Sequence, residues 1–266
     1  MNIKTGSKGL DAIVDVQRYP IDQAAFQKHC KHTLETDGVL VLPNFLTPEA
    51  VACVAKEGDA SSHKAYFTGN DHNVYLKPAD AAFAQDHPRN RLVSSSKGCI
   101  TSDQIADDSM LRALYVNDFF KTFLCEVLEE NALFEYADPL SSINLHYAAR
   151  GQELGWHFDN SSFAITLLIQ KPESGGVFEY VKDVRDADSG EMNYDQVGKI
   201  LDGALSVDTV SMDAGALVLF RGRNSIHRVT PTQGEVTRML AVLAYNAEPG
   251  IALSESARMT FYGRVG

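Results

Sequence analysis

The sequence predicts a mainly β protein with a helical first half: a double-stranded β-helix, the jelly-roll or cupin-like barrel, packed on helices. Three observations predict it. After Pro139, seven short β-prone runs follow one another between Gly, Pro, Asn and Asp: SINLHYA, GWHFD, FAITLLIQ, GVFEYV, ALVLFRG, SIHRV and TRMLAVLAYN. Before Pro139, apolar residues recur at helical rather than alternating spacing. A chain of 266 residues, 44% hydrophobic and 22% charged, is also long enough to bury roughly three quarters of its unfolded surface as a single domain. The expected division is 1–139 as mostly helical support and lid, 140–250 as the jelly roll with an insert at about 182–205, and 251–266 as a C-terminal tail.

In chain order, Ile21, Ala25, Phe26, Cys30 and Leu34 lie at helical spacing, and Gly38 is the stop. VLVLPNFL reads as a short buried strand. In TPEAVACVAKEG, Thr47 is the expected N-cap, Pro48 the first helical residue and Glu49 a charge that suits the helix dipole, with the helix running to about Gly58. Residues 59–102 carry many turn formers and weak periodicity, and read as irregular segments around a short helix, candidates for a lid. From Asp107 to Asn131 the apolar stripe through Met110, Leu114, Phe120, Leu124 and Val127 predicts one long helix against the sheet. The insert DVRDADSGEMNYDQVGKILDGAL is polar, then briefly amphipathic at Tyr194, Val197, Ile200 and Leu201.

A formal charge of −11 argues against a nucleic-acid partner, which needs clustered Lys and Arg to displace counterions. There is no apolar run long enough to cross a bilayer, and no charged-then-apolar signal over Met1 to Leu10, so no membrane partner and a cytoplasmic location are expected. Cys30, Cys53, Cys99 and Cys125 have no CxxC spacing and read as reduced thiols.

The chemistry lies in three places. His157 and Asp159 in GWHFDN form an HxD tripeptide, and residues two apart on a strand share a face. With eight histidines in the chain, one HxD alone carries little weight. His227 in SIHRV follows 68 residues after Asp159, a gap that suits a roll whose strands go out and come back. Two imidazoles and one carboxylate on one side of a metal leave its other side open, the arrangement of non-haem Fe(II) oxygenases. Arg238 follows His227 by 11 residues, inside an apolar strand. A guanidinium there suits a two-point grip on a carboxylate, here the distal one of 2-oxoglutarate, whose 2-oxo acid end chelates iron and leaves a position for O2. Arg221 and Arg223 are the next candidates for that clamp.

GWHFDN, GGVFEYV, GALVLFRGRNSIHRVTP and TRMLAVLAYNAEPG together resemble the Fe(II)/2-oxoglutarate-dependent oxygenase superfamily. Within it, they resemble a bacterial branch of hydroxylases and halogenases of free amino acids. The similarity covers roughly residues 140–250, and DGVLVLPNFLTPEAV extends it toward the start, since many phytanoyl-hydroxylase-like members begin with such a strand and helix. Halogenating members have Gly or Ala where the metal carboxylate belongs; Asp159 stands there in this chain. The resemblance therefore implies hydroxylation, or another C–H oxidation such as desaturation or ring closure, of a small polar substrate such as a free amino acid. Fe(II) would be held by His157, Asp159 and His227, with 2-oxoglutarate as cosubstrate and O2 as oxidant.

Other residues have weaker claims. Thr166, the one hydroxyl in FAITLLIQ, is a candidate donor to the distal carboxylate of 2-oxoglutarate, though Thr is also simply a good strand residue. Asn160, Asn144 and His146 are candidates to face substrate or the proximal carboxylate of 2-oxoglutarate. Trp156 should point into the core, Arg228 to the opposite face from His227 in an ion pair, and His29, His32, His63, His72 and His87 to the surface. The alternative from another class is a non-oxidative cupin-type isomerase or ligand-binding protein using the same trio; Arg238 discriminates against it.

Overall fold

Two helices and an edge strand open the described part of the chain, residues 9–266 of a computed structural model; most of the stretch read above for a targeting signal, residues 1–8, lies outside it. Helix α1, Ala24–Asp37, buries Cys30 and Leu34. It ends at Gly38, whose φ of 74° is open to a residue without a Cβ. Strand β1, Val39–Leu42, follows at once. Helix α2, Pro48–Ser61, starts as its sequence predicts, with the Thr47 hydroxyl accepting from the Ala50 N–H.

Residues 59–102 differ from their sequence reading. After α2 and a single 3-10 turn they form a hairpin, β2 at Tyr66–Asn73 and β3 at Leu92–Ile100, in unbroken register from Tyr66 opposite Cys99 to Asn73 opposite Leu92. The serines, glycines and asparagines of these strands give little local preference. Tertiary pairing decides, because β3 also bonds to two strands of the second half. The stripe over 107–131 likewise splits into α3, Met110–Tyr115, and α4, Asp118–Leu128, because Asn117 turns extended and caps α4 by accepting from the Phe120 N–H.

In the second half all seven expected strands are present: β4 Ile143–Ala148, β5 Leu154–His157 and β6 Ala164–Gln170; then, after a short β7 at Ser174–Gly175, β8 Phe178–Val181. Helix α5, Tyr194–Leu201, occupies the insert and buries Val197 and Ile200. Next come β9 Asp208–Val210, β10 Leu217–Phe220, β11 Ile226–Val229, a short β12 at Thr232–Gln233 and β13 Arg238–Leu243. The tail forms a helix the sequence reading did not foresee, α6 at Glu255–Tyr262, capped by Ser254.

The strands form one antiparallel sheet in the order β1-β10-β6-β13-β4-β3-β5-β11-β8-β9, with β2 on β3 and β7 paired separately with β12. The sheet rolls up on itself. Phe220 on β10 lies 4.8 Å from His227 on β11 and 5.6 Å from Tyr180 on β8, ring centre to ring centre, although these strands are far apart in the sheet. Residues 145, 147, 165, 167, 217, 219, 239 and 241 face outward and are buried in one core with α1 to α4. Their neighbours in the alternation face the interior of the roll. Among the described residues no helix is long and apolar enough to cross a membrane.

Candidate active site

The last residue of β5, His157, lies directly opposite His227 on β11. Their ring centres are 4.1 Å apart. Each imidazole donates its Nδ1–H to the carbonyl two residues back, His157 to Gly155 at 2.8 Å and His227 to Ser225 at 3.1 Å. Those bonds set the tautomer and leave both Nε2 lone pairs aimed at one point. Asp159 lies just past the end of β5, fixed there by its N–H to the Gly222 carbonyl at 3.0 Å and by the Phe158 N–H to the Val74 carbonyl at 2.8 Å. Its Oδ1 is 3.7 Å from His157 Nε2 and 3.6 Å from His227 Nε2, and the three groups could hold one metal ion.

Two features suit these groups to a metal. Asp159 Oδ2 is buried with no hydrogen-bond partner, a costly state for a carboxylate that only another ligand relieves. Burial pushes the His157 pKa down to about 3, with His227 beside it adding to the fall, so the ring stays neutral and its Nε2 free to ligate. For Asp159 burial pulls the other way, yet His227 and His157 hold the carboxyl below its usual range, so it is ionised. Gly222 makes room for this carboxylate: a Cβ there would lie 1.9 Å from Asp159 Oδ2.

Arg238, the first residue of β13, faces inward and is only 6% exposed. Its Nε has no partner, and among the described residues no carboxylate lies within ion-pair distance of it. Burial alone pushes its pKa down to about 10, still a cation at neutral pH. Arg221 and Arg223 are engaged elsewhere, Arg221 with the Leu128 carbonyl at 3.0 Å and Arg223 with Asp188 at 2.6 Å. Thr166 faces inward, half-buried, opposite Val242 and Val218. His146 also faces inward, opposite Leu240 on one side and Cys99 on the other.

Asn144 shares that face, but its amide is committed: it donates to the Leu140 and Ile143 carbonyls, both at 2.9 Å, and accepts from the Tyr262 hydroxyl at 3.0 Å. Asn160 is exposed beside Asp159, its carbonyl held by Arg223. Trp156 points into a core with Phe158 and Ile226. Arg228 lies over the Trp156 ring, paired with Glu179 at 2.6 Å, as alternation predicts.

Three side chains near the site escaped the sequence reading. His72, expected at the surface, is half-buried with its ring centre 6.4 Å from that of His157. Its Nε2 accepts from the Ser95 hydroxyl at 2.7 Å, and Ser95 Oγ in turn accepts from the Gly155 N–H at 2.9 Å, so the chain is braced where His157 makes its own bond. Lys97 lies against His146. Arg185, from the insert, stacks on Phe158 at 4.1 Å and donates to the Arg223 carbonyl at 2.8 Å and the Asp159 carbonyl at 3.4 Å, tying the segment that carries Asp159 to the loop that leads into β11. The first two come from the hairpin that local preference did not reveal. A guanidinium bonding to backbone leaves no pattern in sequence.

The family model of HalD, Halogenase D, matches residues 21–260. No curated protein matches the sequence. Among solved structures, an oxidoreductase of the 2OG-Fe(II) oxygenase family from Burkholderia pseudomallei matches at 13% identity and a TM-score of 0.53, over 85% of this chain and 92% of that one. The carbocyclase SnoK of nogalamycin biosynthesis, described as non-haem and alpha ketoglutarate dependent, matches at 11% identity and a TM-score of 0.59, over 90% and 93%. The epimerase SnoN, in complex with Fe3+, alpha ketoglutarate and nogalamycin RO, matches at 12% identity and a TM-score of 0.53, over 84% of each chain. Matched by the family model over nearly its whole length, and folded as these oxygenases are, the chain belongs to the Halogenase D family.

Proposed function

We propose that the protein is an Fe(II)- and 2-oxoglutarate-dependent dioxygenase that hydroxylates an unactivated C–H bond of a free amino acid or a close derivative. One observation carries the reading. Inside a single roll, two imidazole Nε2 atoms and a carboxylate converge, and a buried guanidinium on the same interior has no acidic partner among the described residues. A metal-binding roll without 2-oxoglutarate has no use for Arg238, and burying an unpaired guanidinium is costly.

His157, Asp159 and His227 would hold the iron, and Arg238 would hold the distal carboxylate of 2-oxoglutarate through its forked N–H groups. Bound iron supplies the centre at which O2 is activated as 2-oxoglutarate is converted to succinate and CO2. The protein's part is geometric. The Gly155 and Ser225 carbonyls orient the two imidazoles, and Phe178 and Phe220, packed 5.5 Å and 4.8 Å from the His227 ring, keep that side of the site dry. Asp159 decides the reaction type: its carboxylate takes the place that a small residue leaves to a halide, so oxygen rather than chlorine goes to the substrate.

The test is optical and needs no substrate. Addition of 2-oxoglutarate to the Fe(II)-loaded protein without oxygen should produce a visible metal-to-ligand charge-transfer band, lost in His227→Ala. Iron that binds stoichiometrically and gives no band would refute the reading.

A further inference from the structure

Lys97 on β3 and His146 on β4 stand on the inward face of the roll, two residues out of register, since Cys99 is the direct partner of His146. The Lys97 Nζ is 3.2 Å from His146 Nδ1 and 3.4 Å from Nε2. The lone-pair directions of the two ring nitrogens diverge, so one ammonium cannot lie along both. It sits against the ring, and its donors are not consumed there. Among the described residues no carboxylate lies within ion-pair distance of it. Both side chains are half-buried and so retain access to solvent, while Gly98, Cys99, Leu145 and Tyr147 around them are buried.

The pair lies between the two parts of the site. Burial pushes the Lys97 pKa down, against which Asp159 acts from across the interior. Burial, then Lys97 and Arg238, keep His146 well below its usual value. Neither Lys97 nor Arg238 has a carboxylate within ion-pair distance among the described residues, and an anion brought beside Lys97 would favour its ammonium over the neutral amine that burial favours.

Building on the dioxygenase reading, we propose that Lys97 and His146 form a second carboxylate seat, which takes the carboxylate of the substrate while Arg238 takes that of 2-oxoglutarate. Lys97 supplies the charge, and a His146 ring N–H supplies a directed donor. Thr68, directly opposite Lys97 on β2 and half-buried, offers a hydroxyl on the same face. The seat selects small acids against their amides and amines, and it fixes one end of the substrate so that a carbon further along reaches the oxidant.

The experiment is calorimetric. The Fe(II)-loaded protein, without oxygen and saturated with 2-oxoglutarate as judged by its charge-transfer band, is titrated with L-amino acids and with their carboxamides. At least one free acid should bind about tenfold or more tightly than its amide. Lys97→Met should erase that preference and leave the 2-oxoglutarate affinity unchanged. His146→Gln, which keeps an N–H donor, should keep part of it. Amides that bind as well as acids, or a wild-type protein that binds 2-oxoglutarate but none of the acids, would overturn the seat without any variant. A Lys97→Met protein that loses affinity for 2-oxoglutarate instead would assign the seat to the cosubstrate and overturn the proposal equally. Failure of the dioxygenase reading shows separately, as absence of the band before any amino acid is added.

Discussion

Along β4, β6, β10 and β13 the outward face is apolar, while the inward face mixes apolar residues with polar and charged ones. The outward residues, Leu145, Tyr147, Ile165, Leu167, Leu217, Leu219, Met239 and Ala241, are buried without exception in the core shared with α1 to α4. The inward residues of the same strands include Asn144, His146, Thr166 and Arg238. Because side chains alternate, one strand can anchor the fold with one set of residues and present chemistry with the other. The outer face carries the stability and the inner face is free to hold charges that cost stability. The two should therefore fail separately.

The largest effect is expected on the inner face. His157→Ala and His227→Ala should each remove bound iron and abolish turnover, while circular dichroism stays that of the parent. Iron content and the dichroism spectrum, taken on the same sample, check this; normal occupancy and activity in either variant would remove that residue from the ligand set. Asp159→Gly should come next. It deletes a negative ligand and should destroy hydroxylation without making an efficient halogenase, even in abundant chloride. Gly222 and the loops braced by Arg185 shape the site around the carboxylate, and a halide there would need donors of its own. Product masses with chloride and with bromide decide. Chlorination at a rate near that of the parent's hydroxylation would show that residue 159 alone selects the reaction.

On the outer face the signature reverses. Leu219→Ala, at a fully buried position, should lower stability by about 2–5 kcal/mol, seen as a drop in the denaturation midpoint, with Km for 2-oxoglutarate unchanged. A change in Km without loss of stability would mean that the two faces are coupled. The smallest effect belongs to Arg238→Lys, which keeps a positive charge and loses the fork. It should raise the Km for 2-oxoglutarate about tenfold, or about 1.4 kcal/mol, with little change in substrate affinity.

The same contrast explains what the sequence disclosed. The inward trio and Arg238 were legible because each stands in a short β-prone run whose period fixes its face: His157 in GWHFD, His227 in SIHRV, Arg238 in TRMLAVLAY. The helix caps at Thr47 and Gly38 were legible for the same local reason. What was hidden depends on partners distant in sequence. LVSSSKGCI looks irregular alone and becomes a strand only beside β2 and β4, so Lys97 and His72 gave no sign of facing the site. The stripe over 107–131 read as one helix because periodicity runs across Asn117, whose side chain serves as a cap only once the chain has turned there. Asn144 looked available for substrate, but the bond it accepts comes from Tyr262, 118 residues away in a helix that the tail gave no reason to expect.

The central claim is that the inner face oxidises substrate with dioxygen at the expense of 2-oxoglutarate. Turnover under dioxygen labelled with the heavy oxygen isotope tests it most directly, with the L-amino acids supplied and the products read by mass spectrometry. The account predicts one labelled oxygen in succinate and one in the hydroxylated amino acid, both absent in His227→Ala. Succinate that forms without label, or an amino acid altered without any 2-oxoglutarate consumed, would contradict it.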